Sequence, residues 1–210
     1  WWHAVHGDRP PEDFGWRSAW LARGYRAVDA LLAPTRAYAA ATAAAHALAA
    51  PPTVVRNGCA PGPRGEAQGR FVLTAGRLWD EGKNLAALDR AATRLDAPVL
   101  AAGPVRGPNG AAFVPRRVQL LGTLDRAALR GWMLRGPVFA SVALYEPFGL
   151  AVLEAAQAGC ALVLSDIPTF RELWDGAAVF VPPRDDAALA AALATLLRDE
   201  ARRAALCDAA

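Results

Sequence analysis

From residue 71 onward the chain repeats one pattern: a short continuous apolar run, a glycine or polar turn, then a segment with helical periodicity. The runs cover residues 71–75, 98–102, 118–121, 138–142, 161–164 and 179–181. None alternates apolar with polar residues, so each strand is expected to be covered on both faces, as in a parallel sheet. Helices are expected at 85–95, from Asp125 to about 134, at 150–158 and at 185–197, with Asp125 and Asp185 at their N-termini. The fold class that follows is α/β: a Rossmann-like parallel sheet flanked by helices. Ligands of such sheets bind beyond the carboxyl ends of the strands. Gly76-Arg77, Gly103, Gly122 and Glu146 all fall at those ends.

Residues 1–56 have a different texture. Trp1, Trp2, Trp16 and Trp20 gather aromatics at the start, and a helical stretch follows at 17–29. The apolar run 30–33 reads as a strand, Pro34-Thr35 as a helix start capped by Thr35, and 37–49 as a helix stopped by Pro51-Pro52. Residues 53–55 form a short strand, and Asn57-Gly58 is a turn signal. This predicts a partial second Rossmann-like domain over 1–56, a Pro- and Gly-rich linker over 57–69 and a complete domain over 70–210. A chain that opens Trp1-Trp2 with no initiator methionine is expected to be a fragment lacking an upstream part.

The composition narrows the function classes. Apolar residues make up 54% and charged residues 20%, enough to bury a core and too apolar for disorder. The net charge of +3 comes from scattered arginines with no basic run, so nucleic acid is not the expected partner. The three cysteines Cys59, Cys160 and Cys207 lie far apart and show neither metal spacing nor a disulfide framework. A cytoplasmic setting is therefore expected. Neither a signal peptide nor a membrane span is evident; the Ala-rich stretch at 27–50 is broken by Pro34 and Arg36. Of 23 basic side chains only Lys83 is a lysine, which marks it as a place where an ammonium is needed or as chance in an arginine-rich composition.

The chemistry concentrates in the stretch from Glu146 through Pro147, Phe148 and Gly149 to Glu154. Two carboxylates stand eight positions apart across a turn that opens a helix, with a predicted buried strand on either side. Free N–H groups and the helix dipole converge at such a start and favour anions. Carboxylates beside that spot suit a ligand with hydroxyls as well as phosphates, and a nucleotide sugar is such a ligand.

Four pieces together, in order and spacing, resemble the C-terminal domain of the family-4 retaining glycosyltransferases of GT-B fold. They are Thr74-Ala-Gly-Arg77 with Lys83-Asn84, Val118-Gln-Leu-Leu-Gly122, Glu146-Pro-Phe-Gly-Leu-Ala-Val-Leu-Glu154, and Ser165-Asp-Ile-Pro-Thr-Phe-Arg-Glu172. Residues 1–58 resemble the tail of that family's N-terminal domain. The resemblance implies sugar transfer from a nucleotide-diphosphate donor with retention at the anomeric carbon. Arg77 and Lys83 would reach the diphosphate, Glu154 the ribose hydroxyls, and Glu146 the donor sugar. The backbone at Phe148, Gly149 and Leu150 would meet sugar and phosphates, and the loop Gly122–Leu124 the base. Arg77, Lys83 and Glu146 are the expected catalytic set. Each has an ordinary alternative: a solvated charged loop for 77–83, a turn residue for Glu146, a helix-face residue for Glu154 and a core side chain for Phe148.

With no Asp-x-Asp motif, no metal and no cofactor are expected, the cationic pair and helix start serving the phosphates instead. His6 is a weaker candidate, because the family's histidine lies further upstream, and His46 is weaker still, because it sits in an Ala-rich helix. Glu172 and Asp166 read as loop-ordering residues. Two competing classes stay open. One is a glycoside hydrolase using Glu146 and Glu154, whose carboxyl groups are about 5–10 Å apart in such enzymes. The other is a non-catalytic nucleotide-sugar-binding domain. The fragment alone is expected to be inactive, since the reaction of GT-B enzymes occurs between two domains. Base, sugar and acceptor are not readable from these residues, and peripheral membrane contact by an upstream half is left open.

Overall fold

The computed structural model describes residues 1–7, 10–65 and 69–210. The first part of the chain is helical with a small parallel sheet: α1 (Trp2–His6), α2 (Asp13–Ala27), β1 (Leu32–Ala33), α3 (Arg36–His46) and β2 (Thr53–Val54). β1 pairs with β2 in parallel, Leu32 opposite Thr53. Thr35 is the N-cap of α3, its side chain accepting the Tyr38 N–H. The helix ends at Ala47 in the left-handed region, before the two prolines.

The remaining strands are β3 (Val72–Ala75), β4 (Val99–Ala102), β5 (Gln119–Gly122), β6 (Val138–Ser141), β7 (Ala161–Ser165) and β8 (Ala178–Val181). They form one six-stranded parallel sheet in the order β5-β4-β3-β6-β7-β8. The order runs outward from β3 in one direction and from β6 in the other, so the connection reverses between them. That reversal opens a crevice at the carboxyl ends of β3 and β6.

Helices cover both faces: α4 (Leu85–Ala92), α5 (Arg126–Met133), α6 (Leu150–Gln157), α7 (Pro168–Trp174), α8 (Asp186–Arg198) and α9 (Glu200–Ala209). Successive strand residues feed opposite layers. Val72, Val99, Val138 and Val163 pack with Leu88 of α4 and Leu193 and Leu196 of α8. Leu73, Leu100, Phe139 and Leu162 pack with Met133 of α5, Val152 of α6 and Phe170 of α7. This period of two within all-apolar strands is why the runs look continuous. Full burial of side chains such as Leu193 and Phe170 contributes about 1.5–3 kcal/mol each.

Five elements differ from the sequence expectation. α1 and α7 are only five and seven residues long, too short for a helical period to register. α9 follows α8 after a single residue, Asp199, so 185–197 does not close the chain. Its Arg203 is buried and donates to the carbonyls of Leu196 and Leu197 at the end of α8. A short 3-10 turn, Glu81–Lys83, sits where only a charged loop was read. β5, read as a covered strand, is an edge strand with mostly exposed residues.

The described part of the Pro- and Gly-rich connection lies on the large sheet unit. Gly65 N–H donates to the Ala158 carbonyl and Arg130 to the Pro63 carbonyl. A Cβ on Gly65 would stand 1.8 Å from the Leu134 carbonyl oxygen, so only glycine permits this approach.

Candidate functional site

A cleft of about 400 Å³ opens where the sheet order reverses. On one side it is lined by Gly76, Arg77 and Lys83, which follow β3. On the other it is lined by Glu146, Pro147, Phe148, Gly149 and Leu150, which join β6 to α6. Pro34 and Asn57 close it from the first part of the chain.

The β3 side is shaped by Asp80. One carboxylate oxygen accepts the Gly82 N–H at 2.9 Å and caps the 3-10 turn; the other accepts from Arg77 at 2.8 Å. Asp80 is buried, whereas the Arg77 side chain is 63% exposed and also lies over the Trp79 ring. Lys83 ends the turn, and its ammonium pairs with the Glu146 carboxylate across the cleft. Asn84 then takes a left-handed backbone conformation, φ 56°, ahead of α4. Its amide nitrogen donates to the carbonyls of Val142 at 3.0 Å and Pro183 at 2.7 Å. Leu144 N–H donates to the Gly82 carbonyl at 2.8 Å. The turn carrying Lys83 is thus fastened to the chain leaving β6 and β8.

On the β6 side, Gly149 has φ 91° and is the N-cap residue of α6, with no side-chain cap. The first N–H groups of a helix have no acceptor within it, so this start presents donors and the positive end of the dipole beside Lys83 and Arg77. The backbone of the turn is held from behind: Thr169 Oγ1 donates to the Glu146 carbonyl at 2.7 Å, and Thr35 Oγ1 to the Pro147 carbonyl at 3.1 Å. Phe148 is buried, in the core role open to it, and still borders the cleft. Tyr145 meets Tyr38 of α3 edge to face at 6.3 Å. Burial first, then the hydrogen bond with Tyr38, pushes the Tyr145 phenol well above the usual tyrosine range, so it stays protonated.

The sequence-predicted residues therefore separate into two groups. Arg77, Lys83, Glu146, Phe148, Gly149 and Leu150 share the cleft. Glu154, Gly122 and Leu124 are not part of its lining. Glu154 lies one turn further along α6, with Arg126 at the start of α5 3.6 Å away. Gly122 ends β5 with φ 74°, its carbonyl accepting the Gly103 N–H at 2.8 Å. The Arg126–Glu154 pair brings α5, and the loop 122–125 before it, to α6.

The weaker candidates have structural partners. His6 stacks on Trp2 with ring centres 4.2 Å apart, and Glu81 is 3.5 Å away. His46 meets the Tyr25 ring at 5.0 Å. Asp166 is held below the usual carboxylate range chiefly by its hydrogen bonds from Arg171. The Glu172 carboxylate accepts the N–H groups of Arg36 at 2.9 Å and Ala37 at 2.7 Å, at the start of α3. Burial alone would raise its pKa; the two N–H donors and the nearby Arg36 and Arg56 outweigh that and hold it below the usual range. Sequence reasoning missed Asp80, Asn84, Thr35 and Thr169 as shapers of the cleft. Asp80 had a usable signal, an acidic residue two before Gly82; the others act on carbonyls far away in sequence.

Residues 69–199 match the family model described as Glycosyl transferases group 1. The chain belongs to the group 1 glycosyl transferases. This group 1 chain is 35% identical over 150 residues to the phosphatidyl-myo-inositol mannosyltransferase of Mycolicibacterium smegmatis, covering 65% of the chain and 38% of that relative. Its fold superimposes on sucrose-phosphate synthase from Thermosynechococcus elongatus with a TM-score of 0.79 at 19% identity, over 98% of the chain and 59% of the synthase. It also matches Anabaena HepE, solved in complex with UDP and glucose, with a TM-score of 0.74 at 18% identity, over 94% of the chain and 62% of HepE. The chain therefore spans less than two thirds of each of these proteins. Both solved structures share the parallel sheet flanked by helices, the architecture read from the apolar runs. Among the described residues no helix is long and apolar enough to cross a membrane.

Proposed function

We propose that this group 1 chain carries the donor half of a retaining glycosyltransferase, which moves a sugar from a nucleoside diphosphate to an acceptor hydroxyl. The observation that carries this reading is the cleft at the sheet reversal, where Arg77, Lys83 and the start of α6 meet Glu146. Two cations and a helix N-terminus in one cleft suit a diphosphate. A carboxylate beside them suits sugar hydroxyls. Residues 70–210 form the donor domain in this proposal, and 1–56 belong to the acceptor-side domain, joined by 57–69. The nucleotide runs from the cleft toward Glu154, which accepts from the ribose, and toward the loop Gly122–Leu124, which lies along the base.

In the reaction, the bond between the anomeric carbon and the diphosphate oxygen breaks and its electron pair stays on that oxygen. Arg77, Lys83 and the α6 amides stabilise the charge that grows there. The acceptor oxygen bonds to the anomeric carbon on the face the diphosphate leaves, and its proton passes to a departing phosphate oxygen. Glu146 holds a sugar hydroxyl or the positive charge near the anomeric carbon. Fixed cations do the electrostatic work, so the proposal includes metal-independent catalysis; strong EDTA inhibition of the full-length enzyme would overturn that part. A glycoside hydrolase has no use for the cations Arg77 and Lys83 beside Glu146, whereas a diphosphate donor does.

The test is calorimetric titration of this chain with UDP, GDP and ADP, repeated on Lys83→Ala and Glu154→Ala. Binding of one nucleotide, weakened in both variants, supports the donor site and identifies the base. A folded chain that binds none of the three overturns the reading.

A further inference from the structure

We infer that Thr35 is a positioning residue for the donor turn, and that with Glu172 it forms a latch tying the start of α3 to the segment Glu146-Pro147. The inference rests on the donor-site reading above and names what holds that site in shape.

Thr35 is fully buried and its hydroxyl is used twice. It accepts the Tyr38 N–H at 3.2 Å and donates its single proton to the Pro147 carbonyl at 3.1 Å. The next two amides of α3, Arg36 and Ala37, donate to Glu172, which lies 135 or more positions away on α7. Three successive N–H groups at this helix start are thus satisfied, two of them by a carboxylate on the large sheet unit. Helix α7 also supplies Thr169, whose hydroxyl holds the Glu146 carbonyl. The carbonyls of Glu146 and Pro147 are therefore each gripped by a threonine, one from α7 and one from α3, while Glu172 locks those two helices together. Tyr38 and Tyr145 pack across the same seam. An ordinary helix cap satisfies its own helix. This one spends its only proton on the turn that carries Glu146 and opens α6, so displacement of α3 is transmitted to the cleft.

The experiment compares Thr35→Val and Thr35→Ser in this chain. Valine keeps the shape but neither bond, and serine keeps both. Calorimetry measures affinity for the nucleoside diphosphate that the unmodified chain binds. Amide hydrogen exchange reads Val152 and Leu153, whose N–H groups donate to the Gly149 carbonyl. The expected result for Thr35→Val is a loss of about fivefold in nucleotide affinity and a similar rise in exchange at Val152 and Leu153, with Thr35→Ser at the unmodified values. Thr35→Val that binds nucleotide normally and loosens only the first turn of α3 shows a cap and nothing more, and overturns the latch alone. An unmodified chain that binds no nucleotide overturns the donor reading and this inference with it. Should Thr35→Val fail to fold, Thr35→Ala and Glu172→Gln replace it, and normal exchange at Val152 and Leu153 in both overturns the latch.

Discussion

Replacing Gly149 by alanine tests the geometry of the cleft at one atom. Gly149 has φ 91°, a conformation costing a residue with a Cβ about 1–2 kcal/mol. The new Cβ would lie 3.0 Å from the Phe170 ring, 3.3 Å from Val152 and 3.5 Å from the Glu146 Cγ. Phe170 is fully buried, so its ring cannot swing into solvent, and tight packing of this kind adds about 1 kcal/mol or more. Alanine also restricts the unfolded chain, which returns about 0.4–1 kcal/mol. The net expectation is a destabilisation of about 2 kcal/mol. For a chain of this length that lowers Tm by about 4–8 °C. Thermal unfolding followed by circular dichroism gives the shift, and titration of the folded variant with UDP, GDP and ADP gives the effect on the site. Affinity is expected to fall, because relief of the contact moves the Glu146 Cγ or the start of α6. A variant that melts within 1 °C of the unmodified chain (about 0.3–0.5 kcal/mol by the same relation) and binds nucleotide equally well would refute the reasoning from left-handed backbone and crowding.

Other outcomes follow from neighbouring contacts. Lys83→Arg is expected to restore little of the nucleotide binding lost in Lys83→Ala, because the longer, planar guanidinium would occupy different space from the compact ammonium that pairs with Glu146 in the cleft; calorimetry decides, and full recovery would refute the need for lysine. Asp89 accepts the N–H groups of Arg116, Arg117 and Val118, so Asp89→Ala should cost about 3 kcal/mol in urea unfolding and loosen the entry to β5. The Glu172 carboxyl has its pKa held below the usual carboxylate range, so its contribution is present above that range and lost as pH falls through the lower folded-state value. Acid unfolding of Glu172→Gln should therefore lose part of its dependence on pH in that window, and an unchanged acid profile would exclude Glu172 as a contributor.

The sheet could be read from the sequence because its strands are buried on both faces, which leaves apolar runs unbroken by turns. The edge strand β5 was legible in place but not in burial: Leu120 and Leu121 look like core residues, and nothing local reveals that, among the described residues, β5 pairs on one side alone. α7 escaped because seven residues starting at Pro168 read as a loop. α9 escaped because its Glu-Ala-Arg-Arg start carries little apolar periodicity. In the cleft, the side chains of Arg77, Lys83 and Glu146 were legible as residue types at strand ends. Their partners were not. Lys83 meets Glu146 across 63 positions, Thr35 meets Pro147 across 112, and Asn84 meets Pro183 across 99. Such pairings follow from strand order, which apolar runs do not encode.

Asn84 has a consequence for how the crevice takes a guest. Its amide spans from the β3 side to the carbonyls of Val142 and Pro183, and Leu144 N–H reaches back to Gly82. The segments that leave β3, β6 and β8 are therefore stapled to one another beside the cleft. The spacing of these segments is fixed by the chain's own hydrogen bonds, as in a jaw of set width. Asn84 sets much of that spacing: an aspartate would face two carbonyl oxygens with no donor, and a glutamine would carry its amide a methylene too far.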